Sequence, residues 1–535
     1  MGSVSSGPDA APFSPVDHAA WRARVEKELG DRGVFSDLRT VLPGGVELEP
    51  LYDRAAWDGA GDPGGMPGVF PYRRGGRACA PELGLPWALT VRAEDADLGR
   101  LGPALLEDLA GGATGVWVGF DRAARLGEDP AGAQAAQAAV DGAPLHGLGD
   151  LDLAFAEVRP ELVSWFLGAG GNAAPATALF EAWLQERGVD PAEVRLHVGA
   201  DPLGALARDG ALPRSIPAHL QELADLVLRA EERGPGWRAV RASGRPYLEA
   251  GATPTTAMGL ALATAVEYLR SARRAGVSPE AFTRRLELEV AVDRDLFTEL
   301  AGLRALRLAW SKVMSAAGVG GTGSPPVYVH AVVADRGLTR KDPWVNFLRG
   351  TTGTLAAILG GADAVTTPPF DRPLGAPSAL GRRVARNTQN ILGEESHLGR
   401  VADPAGGSHA VEALTDQIGR LAWGVLQEVE AAGGMAAALA SGWVGVRVAG
   451  ERDERRRLLG AGVLPLLGVG VYPNPEERTP DRAPRWTEDD RDRAARRAAD
   501  ARAAGDRRLF DGAPGDDAPP ARLDAPFVPV ADEDL

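Results

Sequence analysis

Residues 327–367 constrain the fold of this 535-residue chain more tightly than any other stretch. In VYVHAVV, residues 327–333, Tyr328, His330 and Val332 alternate with Val327, Val329 and Val333, and both sets are largely apolar. Such a run fits a strand covered on both faces, as in a parallel sheet. A polar turn follows, then a helical pattern from about Trp344 to Leu359. Gly360 and Gly361 stop that helix, and a second apolar run begins at once. Strand, loop, helix and strand make a βαβ crossover.

The same alternation recurs upstream. Strand candidates lie at residues 87–92, 115–120, 162–168, 194–199, 238–243, 286–292, 327–333 and 363–367, with helical segments between most of them. The clearest helix spans residues 258–275, where Met258, Leu262, Ala265, Val266 and Leu269 form one apolar stripe before Gly276. Eight strands alternating with helices predict a (β/α)8 barrel, with an open doubly wound sheet as the competing architecture.

Flanking regions read differently. Residues 1–13 are expected to be disordered, and a first helix is expected from Ser14, with Pro15 at its first turn, to about Gly30. Residues 31–80 read as an extended arm that wraps this chain or clasps a partner. Ser408 is the expected cap of a long closing helix. Thr487–Gly505 reads as an exposed helix or a partly disordered segment, and the last thirty or so residues as a tail. The domain reading is therefore 1–84 for helix and arm, 85–445 for the barrel, and 446–535 for a partly disordered C-terminal extension.

A net charge of −15 keeps such a chain soluble and disfavours nucleic-acid binding. The single cysteine, Cys79, excludes an internal disulfide and fits a reducing cytoplasm. No signal peptide and no membrane-spanning run is evident. With no CxxC, no HExxH and no other ligand-like spacing, no metal site is expected. Gly318, Gly320 and Gly323 satisfy G-x-G-x-x-G. They follow a helix and precede a strand, the reverse of a nucleotide-binding turn, and read as a flexible connection.

LTRKDPWVNFLR, GGADAVTTPPFD, ARNTQNILGEESHLGRVADPAGGS and VEALTD resemble the last barrel segments of the adenosylcobalamin-dependent acyl-CoA mutases, the methylmalonyl-CoA mutases above all. DPWVN and EESHL are similar to the small, β chain of the heterodimeric members. The resemblance is strong from Ser243 to Trp443, patchy from Pro67 to Gly168, and weak at both ends. It implies a (β/α)8 barrel and an adenosylcobalamin-dependent radical rearrangement.

The resemblance also locates departures. SGRPYLEAGAT, at the end of the fifth strand, matches a catalytic turn, but Pro246 stands where the family has a histidine that hydrogen-bonds the migrating thioester carbonyl. Proline has no such donor. RRLELEV is read at the end of the sixth strand. It keeps Arg285 of an Arg-Leu-Ser that contacts coenzyme A phosphates, but puts Glu287 at the serine, where negative charge opposes phosphate. The bland reading is a solvated Glu287 beside which nothing binds. VSWFLGAGG places Phe166 and Gly168 where the family offers a serine and a threonine. His330 matches a family histidine, with Val332 at a neighbouring glutamine position; a lone histidine there is more often a hydrogen-bonded core residue. Arg285 and His330 are thus candidate remnants of substrate binding, and no catalytic residue is identified. None of the seven histidines lies in the D-x-H-x-x-G that ligates cobalt, and the chain ends soon after the barrel.

Three functions follow. The first is the non-catalytic β subunit of a heterodimer, its barrel plugged by Trp165 and Phe166. Its homologous α subunit would hold adenosylcobalamin and interconvert (R)-methylmalonyl-CoA and succinyl-CoA. The second is a catalytic mutase chain working with a separate cobalamin-binding subunit. The third is a structural barrel that binds neither ligand.

Overall fold

The computed structural model describes residues 17–53, 56, 65–79, 81, 84–132, 135–321, 323–511 and 518–535. Eight parallel strands close into a barrel in sequence order. They are β1 (Ala88–Ala93), β2 (Gly115–Gly119), β3 (Ser164–Gly168), β4 (Arg195–Ala200), β5 (Trp237–Ser243), β6 (Leu286–Val292), β7 (Tyr328–Val333) and β8 (Ala364–Thr366). Every one overlaps a strand expected from the sequence. Closure comes from β8, which pairs with both β7 and β1. The open-sheet alternative is thereby excluded.

Alternation along the strands sorts side chains between two environments. In β6, Leu286, Leu288, Val290 and Val292 join the apolar layer under the helices. Glu287 and Glu289 point to the barrel axis, where they meet side chains of β4, β5 and β7. Helices cover the outside. Pro254–Arg274 starts four residues before the expected helix because Thr253 caps it, its side chain accepting from Thr256 N–H. Gly318 and Gly323 connect the helix Leu296–Ala316 to β7, as their order implied.

Some flanking expectations change. The first helix is His18–Leu29 with Asp17 as its cap; Ser14 and Pro15 lie outside the described residues. Ser408 occupies the cap position of His409–Ala431, but its side chain caps nothing. Within the arm, Thr40–Leu42 and Val46–Leu48 pair as an antiparallel hairpin. Arg73 and Arg74 tie the arm to the barrel through Glu412 and Asp403, 2.8 and 2.7 Å away. Arg304 pairs with the same two carboxylates. This buried ion network accounts for Asp403 of the DPAGGS motif as a fold determinant.

The C-terminal region packs more closely than its composition suggests. Glu488–Ala504 is a helix in which Thr487 and Asp490 form a capping box, and it buries Ala494 and Ala498. Residues 518–535 lie along the barrel. Leu523, Phe527, Val530 and Asp532 donate their N–H groups to Gly210, Ala207, Glu249 and Arg336 carbonyls, each at 2.8 Å. The expected tail is thus stitched across the end of the barrel from which β4, β5 and β7 emerge.

Candidate functional site

The barrel axis is filled. Glu287 is 1% exposed and accepts from Arg241 Nε at 2.9 Å and from His197 Nδ1 at 2.5 Å. His330 reaches the same carboxylate at 3.3 Å through Nδ1 and Thr366 Oγ1 at 2.8 Å through Nε2. The Phe166 ring stacks on His197, with centroids 4.1 Å apart, and leans on His330 at 4.8 Å. Tyr328 meets the other side of His197 at 4.7 Å. Glycines at strand ends make room for one more ring. A Cβ on Gly119 or Gly168 would come within 2.6 or 2.8 Å of the Trp117 indole. The absence of a side chain at 168 thus admits a bulky neighbour.

Burial sets the charge states. Burial alone would raise the Glu287 carboxyl, but Arg241 and the hydrogen bonds from His197 and His330 hold it well below the usual range. Burial pushes His197 down to about 4, so near neutrality it is an uncharged imidazole donating to Glu287. Glu289, held below its usual range by Arg241 and Arg245, is a second anion beside the same arginine. Glu287, Glu289 and His330 bring three ligating atoms within 4.8 Å, the one such cluster among the described residues. Arg241 Nε lies 2.9 and 3.7 Å from the two carboxylates and supplies the positive charge between them.

Above the filled axis, at the C-terminal ends of the strands, is a cavity of about 400 Å³. Trp117 forms part of its floor, Pro246, Arg245 and Glu289 its wall, and Phe527 and Pro529 of the tail overhang it. Asp335 gathers Arg92 and Arg372, both at 3.0 Å, and Arg245 at 3.4 Å. Glu249 accepts from the backbone N–H groups of Asp335 and Arg336, 2.9 Å each, and burial raises its carboxyl. Burial likewise raises Asp201 to about 7, against hydrogen bonds from Tyr268 O–H and Gly204 N–H.

The residues singled out from the sequence separate. Pro246 lies in the first turn of the short helix Arg245–Glu249, directly at the mouth. His330 is wholly buried in the plug with both ring nitrogens hydrogen-bonded. Arg285 is not at the mouth: it immediately precedes β6, at the opposite end of the barrel. There it donates to the Gly234 and Trp237 carbonyls and pairs with Glu231. Glu287, expected in solvent, is buried. Trp165 faces outward, packed on Phe155, Phe180 and Trp183, so of the two expected plugs only Phe166 is one. Within the DPWVN motif, Trp344 is half exposed against Phe370, whereas Asn346 is buried and donates to the Thr339 and Phe370 carbonyls. Trp117, His197 and Arg241 were not singled out; their alternation with apolar neighbours within β2, β4 and β5 was the available signal.

The fold and site define a parallel (β/α)8 barrel with a polar, aromatic plug on its axis. The family model described as methylmalonyl-CoA mutase matches residues 42–512. The methylmalonyl-CoA mutase small subunit of Streptomyces virginiae is 40% identical, across 89% of this chain and 73% of that one. The large subunit from the same organism is 30% identical, across 84% of this chain and 61% of that one. Methylmalonyl-CoA mutase of Escherichia coli K12 is 31% identical, across 84% of this chain and 63% of that one. The chain belongs to the methylmalonyl-CoA mutase family, whose members are adenosylcobalamin-dependent isomerases. It spans less than two thirds of the E. coli enzyme and of the large subunit, and it is nearer to the small than to the large subunit of one organism. No helix among the described residues is long and apolar enough to cross a membrane.

Proposed function

We propose that this chain is the small, non-catalytic subunit of a heterodimeric, cytoplasmic methylmalonyl-CoA mutase. It supports a homologous large subunit that interconverts (R)-methylmalonyl-CoA and succinyl-CoA. The observation that carries this reading is the plug: Phe166, His197 and His330, packed around the Glu287–Arg241 pair, occupy the axis of the barrel. An acyl-CoA threaded along that axis would have to displace a buried charge pair and its hydrogen bonds. Pro246 at the mouth offers no donor to a thioester carbonyl. Arg285 and His330, the candidate remnants of substrate contact, have polar atoms engaged within the protein.

The residues present do not fit adenosylcobalamin. Drug-sized ligands fill pockets of about 300–1,000 Å³. The mouth cavity, at about 400 Å³ and overhung by Phe527 and Pro529, is small for a corrin with its adenosyl and tail groups. No histidine lines it to take a lower axial position on cobalt.

The division at 84 and 445 has a functional meaning in this reading. Residues 1–84 clasp the partner, 85–445 form the barrel, and 446–535 form an extension. Helix His18–Leu29 buries none of its residues, and Val34, Val41, Met66 and Val69 are exposed, as on a surface awaiting a partner. Reconstitution tests the proposal. The purified chain with adenosylcobalamin and methylmalonyl-CoA is expected to be silent and to copurify with a homologous large subunit as an active mixture. Turnover with a small cobalamin-binding protein and no large subunit would favour the catalytic alternative.

A further inference from the structure

We propose that a cleft between the helices that follow β1 and β8, beside the barrel axis, binds a short-chain carboxylate. Leu101, Ala104 and Leu105 of the helix Leu98–Ala110 form one wall. Pro369, Pro377 and Ala385 form the other. The cleft offers about 80 Å³. A dry cavity of about 150 Å³ holds a benzene ring, so this is the space of a short alkyl chain, with the carboxylate reaching out to the arginines. It suits an acid of a few carbons and excludes a nucleotide or a long acyl chain.

Its polar end has more donors than acceptors. Arg92, Arg372, Arg382 and Arg485 line it, with Glu94, Asp95 and Asp108. Each of those carboxylates already has an arginine. Glu94 holds Arg372, Asp95 holds Arg100 at 2.9 Å, and Asp108 holds Arg386. Arg92 gives Nη1 to Asp335 at 3.0 Å, but its buried Nη2 has no partner. Arg485, exposed at the rim, has neither an ion pair nor a hydrogen bond among the described residues. A buried donor without an acceptor is costly, and a carboxylate would satisfy it with a charge-assisted bond. The apolar walls account for the rest of the ligand: a bare inorganic anion would leave them wet, and a neutral alcohol would bring no charge to the arginines.

Glu94, Arg372 and Arg485 also line the mouth cavity, so the cleft lies against it with these three side chains between, and Ala104, which lines the cleft alone, is the position that separates the two. Occupancy there would not require the plug to open. The site is therefore independent of whether the barrel axis accepts acyl-CoA.

Titration calorimetry of the full-length chain with butyrate, butan-1-ol and sulfate tests the assignment. Saturable butyrate binding is expected, weakened about tenfold in Arg485→Gln, as for loss of one charge-assisted contact. It is expected to vanish in Ala104→Phe, which fills the cleft. Both positions are solvent-accessible, and thermal melting checks that each variant is folded. Absence of saturable butyrate binding would overturn the proposal. So would butyrate affinity unchanged in both variants, or sulfate or butan-1-ol binding as tightly as butyrate.

Discussion

The Glu287 carboxylate and the Arg241 guanidinium meet on the barrel axis, Oε1 to Nε 2.9 Å, with both side chains at least nine-tenths buried. They are register partners on adjacent strands, β5 and β6. Where the resemblance implies a serine beside phosphate, this barrel has built a salt bridge instead. A charge pair desolvated to this degree persists only when its remaining lone pairs and protons are hydrogen-bonded. His197, His330 and the Leu167 carbonyl supply most of that shell; Arg241 Nη2 is buried without an acceptor.

Removing one member should therefore cost more than the pair contributes. Glu287→Gln removes the nearer of the two carboxylates facing Arg241, leaving Glu289 at 3.7 Å, and is expected to lower stability by up to about 3–5 kcal/mol. Denaturant unfolding measures it. Glu287→Leu and Glu289→Leu combined with Arg241→Met are expected to lose less than Glu287→Gln, because no charge of the trio is then stranded.

Acid should act on the plug through His197. An unfolded histidine titrates at about 6.5, and the folded one at about 4. Between these values the unfolded chain binds the extra proton, so this contribution to stability is whole above about 6.5 and is lost as pH falls toward 4. The gap is worth roughly 3 kcal/mol at most. His197→Phe is expected to flatten the stability profile in that window.

Asp201 should act with the opposite sign. Its folded carboxyl is raised to about 7, against about 3.9 unfolded. The folded state binds the extra proton in between, so stability falls as pH rises through that range. Asp201→Asn can still accept from Tyr268 and Gly204. It is expected to gain on the parent chain between pH 5 and pH 8, by up to a few kcal/mol, in urea unfolding at the two pH values.

The strap over the mouth should depend on Asp532. Its carboxylate is 2% exposed and binds Arg455 at 2.6 Å and Arg294 at 2.8 Å. Asp532→Ala is expected to destabilise the chain by about 3–5 kcal/mol and to hasten protease cleavage near Phe527. Unchanged digestion and melting would mean that the contact does not hold the segment.

Much of the barrel was legible because both-face burial imposes apolar runs of strand length, as in VYVHAVV, while strands such as LELEVAV announced themselves by alternation. Direction along a strand was less well used. Arg285 was read at the wrong end although the expected strand 286–292 already puts it before the N-terminal end; the family likeness, not the strand direction, carried that placement. Trp165 and Phe166 were read as equivalent, although adjacent strand residues point to opposite faces; the packing of Trp165 on Trp183 settles which is outside. The tail was misread because its order comes from main-chain bonds to Ala207, Glu249 and Arg336, contacts far away in sequence that composition does not encode.

A closed axis is tested most directly by titrating methylmalonyl-CoA into the purified full-length chain and following binding by calorimetry. No saturable binding is expected, either in the parent chain or in Pro246→His, because restoring a donor at the mouth leaves Phe166, His197 and Glu287 in place. Stoichiometric binding of methylmalonyl-CoA to the parent chain would contradict the closed axis and, with it, a purely supporting role.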